Sequence, residues 1–218
     1  MRPTTTRLKA LAALSLPLLW TNTLLPAFHL NIRGRSAANA AFATAYAVTF
    51  RGRPNWFSPR GLAYGSAAAA VVLSGYAAAL AIPSTRRHFA ELADRGPDVH
   101  AAEWAGVHIP VGTVFSEELV YRATLDPVLE EAFGRPGEWL AALTFGLTHI
   151  QPARSVGDPV PATIAVTTLG GLLFTRLRRH TGSATAPALL HLAMNAGGAI
   201  APILARLILS GQVSPDPT

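Results

Sequence analysis

The strongest constraint on this chain is a charged stretch set inside an apolar one. Ser116-Glu117-Glu118-Leu119-Val120-Tyr121-Arg122 follows Trp104 to Phe115, which is apolar apart from a histidine and a threonine, and the pattern runs on downstream as a helix. At the centre of a bilayer each ionisable side chain costs about 2.5–3.5 kcal/mol on insertion scales. Three of them lie between Glu117 and Arg122, so facing partners must exist elsewhere in the chain.

The surroundings are membrane-like. Half of the 218 residues are hydrophobic and only 14% are charged, against about 25% in soluble domains. Apolar runs alternate with short arginine-bearing joints, the hydropathy pattern of a multi-spanning protein. The fold class expected is all-α, a multi-pass transmembrane helical bundle of about six to eight helices in the cell membrane. The net charge is +6, with seventeen arginines and one lysine. These flank apolar runs at Arg51/Arg53, Arg86/Arg87 and Arg176/Arg178/Arg179, so the partner they imply is the lipid bilayer and not nucleic acid. The absence of cysteine excludes disulfides, thiolate metal sites and cysteine nucleophiles.

Taken in order, residues 1–100 read as N-terminal transmembrane helices and a loop, residues 101–209 as the core, and residues 210–218 as a disordered tail. Ala10 to Leu30 is a first span retained in the protein, because an Ala-x-Ala-like site occurs only at Ala38-Asn39-Ala40. Ser36 to Phe50 is short for a span. Arg51 to Arg60 is a loop whose Trp56 and Phe57 suit the headgroup level. Gly61 to Pro83 spans, and its Gly61/Gly65 pair suits close packing within the bundle better than a dimer face. Ser84 to Glu103 is polar and exposed. Trp104 to Phe133 is one long helix or two pieces broken near Pro110. Gly134-Arg135-Pro136-Gly137 is a turn. A helix then ends at Thr148-His149, and a proline-rich loop covers Gln151 to Pro161. Spans follow at Ala162 to Leu177 and Ser183 to Leu209.

Helical spacing sorts the polar residues. Glu118 and Arg122 are four apart on one face and form an intrahelical ion pair with a supporting role. Glu117 is turned by about 100° from Glu118 and has no opposite charge four residues away on either side. If Gly134–Gly137 reverses the chain, Glu117 and His149 sit at depths that differ by several ångströms at about 1.5 Å per residue. His191 and Asn195 share a face of the last helix. Two histidines, an unpaired glutamate and an amide converging in a bundle make a reaction site.

Glu117-Glu118-x-x-x-Arg122, Phe145-x-x-x-His149 and His191-x-x-x-Asn195, in that order on separate apolar helices, resemble the three motifs of the CPBP family. These are membrane-embedded proteases related to the CAAX prenyl endopeptidase and to bacterial Abi proteins. The resemblance covers roughly residues 101–200 and extends to Thr181-Gly182-Ser183. It departs at Thr185, where relatives often carry a bulky apolar residue, which bears on substrate fit. It implies an endopeptidase acting on a membrane-associated protein or peptide. Glu117 would be general base, His149 would hold the water, His191 and Asn195 would stabilise the oxyanion, and Glu118–Arg122 would support the helix. The alternative chemistry makes Glu117, His149 and His191 ligands of a zinc ion; otherwise no cofactor is implied. Rival functions are a non-catalytic membrane scaffold, an immunity factor or a transporter. With seven spans and the N-terminus inside, the arginine bias of the joints opens the site outward, whereas prenyl-processing relatives act on cytoplasmic termini.

Overall fold

The computed structural model describes residues 3–211, and every regular element among them is helical. Eight helices follow one another: α1 (3–27), α2 (Ile32–Phe50), α3 (Pro59–Ala81), α4 (Pro83–Glu91), α5 (101–133), α6 (Arg135–Leu147), α7 (Val160–Thr181) and α8 (Thr185–Gly211). A short helix, Ile150–Val156, interrupts the connection from α6 to α7, where a loop was expected. Of the expected tail, positions 212–218 lie outside the described residues.

Four helices are long and apolar enough to cross a membrane: Thr5–Ala27, Pro59–Ala81, Val160–Thr181 and Thr185–Gly211. Only 6% of the apolar window of α3 is buried inside the protein, and Leu62, Val71 and Leu73 face outward. Apolar surface on that scale does not stand in water. The protein is a membrane protein, and lipid covers that face. Helix α2 is not among the four. It begins four residues before Ser36, because the Asn31 side chain accepts the Gly34 N–H at 2.9 Å and caps it.

Two devices shape the core. The first is the Gly61/Gly65 pair of α3, which lies against Ser183 and the backbone of Ala186 and lets α3 run closely along α8. The second is the turn between α5 and α6. Gly134 adopts a positive φ of 64°, and a Cβ at Gly137 would run into the Leu129 carbonyl. Together they fold α6 back on α5. The buried core collects Tyr46 and Phe50 from α2, Leu119, Leu125 and Leu129 from α5, Phe145 from α6, Phe174 from α7 and Leu190 from α8.

Helix α5 is continuous through Pro110, which settles the question of one helix or two. Proline removes an N–H and its ring crowds the carbonyl one turn back, which normally kinks a helix. Here the helix widens into π turns over Trp104–Phe115 and again over Tyr121–Leu125. The hydroxyls of Ser116 and Thr124 donate to the carbonyls five residues back, Val111 and Leu119, at 2.8 and 2.7 Å. They occupy acceptors that the wider winding leaves open. Such turns concentrate at functional sites, and Glu117 and Glu118 lie between these two.

Candidate active site

Glu117 and Glu118 are neighbours with different surroundings. Glu117 is half-buried and lines a cavity of about 170 Å³ that His149 also lines. Its Oε2 is buried without a hydrogen-bond partner. An unsatisfied buried acceptor costs about 1–3 kcal/mol, and such a group usually has a use. The walls come from α1, α2 and α5: Trp20 lies parallel on Phe42 at 4.6 Å, beside Leu25 and Val120.

His149 lies two residues beyond α6, ahead of the short helix Ile150–Val156, and its Nδ1 donates to the Phe145 carbonyl at 2.7 Å. The neutral ring therefore keeps Nε2 as an acceptor. Two neighbours hold this corner. The Tyr121 hydroxyl donates to Thr148 Oγ1 at 2.9 Å, and Thr148 donates onward to Phe145 O at 2.8 Å. From α1, Asn22 brackets the same residues: its amide donates to Leu147 O at 3.0 Å, and its carbonyl oxygen accepts the Gln151 N–H at 2.9 Å. Sequence reading missed Asn22. An Asn inside an apolar run was the available signal.

Glu118 is fully buried, and its nearest partner is not Arg122. His191 Nδ1 donates to Glu118 Oε1 at 2.8 Å, while Arg122 Nε stands 3.6 Å from Oε2. The expected intrahelical pair exists, but it is long and shares its carboxylate with α8. His191 Nε2 turns towards Glu117 Oε2 at 3.8 Å, too far for a direct hydrogen bond. The imidazole thus stands between two carboxylates, one on each nitrogen. Phe174 stacks on it at 4.9 Å, and the Phe145 ring lies edge-on to both histidines. Asn195, one turn beyond His191, is half-buried and makes no hydrogen bond among the described residues. It does not line the Glu117 cavity.

Behind this centre runs a ladder of charge, buried at Arg122 and Asp126 and surfacing at Arg176 and Arg179. Arg122 is fully buried with no hydrogen bond to any of its three nitrogens, and its guanidinium lies over Phe145, Phe174 and Tyr121 at 4.6, 5.2 and 5.5 Å. Asp126 follows one turn later, 3.5 Å from Arg178. Arg178 donates to Glu130 at 2.6 Å, Arg179 to Glu138 at 2.6 Å and Arg176 to Glu138 at 2.9 Å. The arginines at 176, 178 and 179, expected to meet lipid headgroups, therefore meet carboxylates of α5 and α6. Composition cannot see this, because a basic helix end reads the same in either case.

A second network ties α2 to α5. Ser36 Oγ lies 2.9 Å from His108 Nδ1, and His108 Nε2 lies 2.9 Å from Glu103 Oε1. Glu103 also takes two bonds from Arg33, at 2.6 and 2.9 Å. These two partners hold its carboxyl well below the usual range, at about 2, with Arg33 the larger cause. This network lines a vestibule of about 1040 Å³ that shares Arg35, Asn39 and Thr113 with the Glu117 cavity.

Two expectations from sequence land elsewhere. Thr185 does not reach the cavity; its hydroxyl donates to the Trp56 carbonyl at 2.7 Å. Trp56 is packed near Phe115, with ring centres 6.1 Å apart, while Phe57 alone of the two is 99% exposed. Among the described residues no three His, Asp or Glu side chains gather to hold a metal ion. His149 and His191 each donate Nδ1–H to an acceptor within the chain, which leaves Nε2 as the outward nitrogen of both rings.

A helical membrane bundle with a half-buried glutamate and a histidine in one cavity, and a second histidine behind them, is the class that fold and geometry define. Residues 100–197 match the family model described as type II CAAX prenyl endopeptidase Rce1-like. Over that stretch the chain is similar to the CPBP family of intramembrane proteases. No curated protein and no solved structure matches the chain. Helices α1 and α2, which wall the cavity, lie outside the matched stretch.

Proposed function

We propose that the protein is a multi-pass endopeptidase of the cell membrane that hydrolyses a peptide bond of a membrane-associated protein or peptide. The reading rests chiefly on one observation: Glu117 lines the cavity shared with His149 and keeps one carboxylate oxygen, Oε2, buried and unpartnered beside His191. Peptide hydrolysis requires an activated water and a stabilised oxyanion. Glu117 accepts a proton from a water whose oxygen attacks the scissile carbonyl carbon, and His149 Nε2 accepts that water's other hydrogen as a bond. His191, steadied by Glu118, offers Nε2–H to the oxyanion when that nitrogen is protonated; Asn195, outside the cavity, is left without a part in this step. When the C–N bond breaks, the proton held by Glu117 goes to the leaving amine. The products are a carboxylic acid and a free amine, and Glu117 is restored.

The test is Glu117→Gln, which keeps the shape and removes the base. Peptide cleavage by purified protein in lipid should fall about 10²–10⁴-fold, the usual effect of losing a general base, with thermal stability retained. Near-normal cleavage by the variant would overturn the assignment. Wild-type activity should survive dialysis against a strong chelator. Loss of activity on chelation, restored by zinc, would make Glu117 a ligand instead of a base.

A further inference from the structure

The lining of the inner cavity includes two residues of fixed charge, the half-buried Glu117 and the exposed Arg35. Arg35 sits at the end of the first turn of α2, where the cavity meets both the vestibule and a third hollow. Two other arginines line the vestibule, and both are paired: Arg33 with Glu103 at 2.6 Å and Arg95 with Asp158 at 3.6 Å. The Arg35 side chain has no carboxylate or hydrogen-bond partner among the described residues. It stays apart from Glu117 as well, although the two line one cavity. A guanidinium offers five donors in a planar fork suited to a carboxylate.

We propose that Arg35 is a specificity-determining residue that binds a carboxylate of the substrate while the scissile bond lies at Glu117. This rests on the peptidase reading above and adds the substrate's chemistry. The size of the site agrees. A cavity of about 150 Å³ holds one benzene, and the one here is about 170 Å³. It takes a single apolar side chain against Trp20 and Phe42, with the carboxylate close by. That carboxylate is either the free end of the chain or an acidic side chain beside the cleaved bond. Because Arg35 lies outside residues 100–197, the selectivity is a property of this chain's own N-terminal helices.

The experiment compares three short fluorescent peptides of one apolar sequence on the full-length protein in lipid nanodiscs. One ends in a free carboxylate, one in an amide, and one in an amide with Asp next to the terminal residue. On Glu117→Gln protein, which removes turnover, a carboxylate peptide should bind about 10- to 100-fold more tightly than the neutral amide. That is the range for a charge-assisted hydrogen bond. The carboxylate peptide that gains identifies the source. Arg35→Gln should erase the preference, and Arg35→Lys should retain part of it. On catalytically intact protein, Arg35→Gln should raise KM for that peptide with kcat little changed. Equal binding of all three peptides, or an equal loss for the neutral amide in Arg35→Gln, would overturn the proposal in favour of a headgroup contact. Carboxylate-selective binding without any wild-type cleavage would uphold Arg35 and sink the peptidase reading. Cleavage without selectivity would do the reverse.

Discussion

The two walls of the central cavity differ in what they contribute. The wall from α5 and α6 carries Glu117 and His149, backed by Glu118, His191 and a charge ladder, and nearly all of it falls within the matched residues 100–197. The wall from α1 and α2 carries aromatic surface, Arg35 and Asn22, and lies wholly outside them. The first wall is backed by the buried cluster of Glu118, His191 and Arg122. The second is held by ordinary hydrogen bonds and stacking. A bilayer bundle can thus keep reactive groups on a rigid side and let the opposite side determine what fits.

The largest expected effect tests the rigid side. Arg122→Ala removes the cation between Glu118 and Asp126 and empties the aromatic nest around it. Breaking a buried pair typically costs about 3–5 kcal/mol, because an uncompensated charge is left behind. Thermal unfolding in detergent should show that loss, in contrast to Glu117→Gln. The double variant Glu118→Gln with Arg122→Met should regain much of the stability, since an amide still bonds His191 and methionine fills the nest. A double variant as unstable as the sum of its singles would mean that Glu118 and Arg122 are not coupled, and that the His191 bond alone holds Glu118.

A smaller effect is expected on the other side. Asn22→Ala leaves the Leu147 carbonyl and the Gln151 N–H without their partner, at about 1–3 kcal/mol if water does not replace it. It frees the backbone around His149, so kcat should fall while the Glu117 environment is untouched. Asn22→Asp keeps the acceptor for Gln151 but loses the donor to Leu147, and should fall between wild type and Ala. If kcat is unchanged in both, α1 serves only as a wall.

The smallest effect concerns the vestibule and has a sign set by charge. Glu103 is held at about 2 in the folded protein against an ordinary value of 4.5. A lowered carboxyl stabilises the fold above its ordinary value, and the benefit fades as pH falls from about 4.5 towards 2. Glu103→Gln should flatten stability against pH in that window and leave it unchanged in shape above. A wild-type profile flat across the window would remove Glu103 from the account.

How much of this was legible in the sequence depends on the distance over which each feature is encoded. The shared cavity of Glu117 and His149 could be anticipated, because one turn separates them and residue counts on either side give their depths. The bond between Glu118 and His191 could not, since nothing local in α8 sets its rotation against α5. Pairing of Glu118 with Arg122 followed from spacing, but spacing is blind to a competing partner 73 positions away. The start of α2 was misplaced by weighing apolar residues over the Asn31 cap. The π turns of α5 left no mark, because an apolar run hides whether it is wound at three and a half or at more residues per turn.

Those π turns give α5 slack in its length. A π turn carries one residue more than an α turn across the same stretch of axis, so it is an insertion that the helix absorbs locally. Losing one residue between Trp104 and Phe115 can be met by tightening the winding, with Glu117 and Glu118 still facing their histidines. Between Asp126 and Phe133 the winding is already tight. There the same loss would swing the Gly134 turn by about 100° and carry α6, with His149 just beyond its end, out of the cavity. The tolerance of this helix to drift in chain length is therefore lopsided: generous on either side of the reactive carboxylate as far as Leu125, and absent from Asp126 onward.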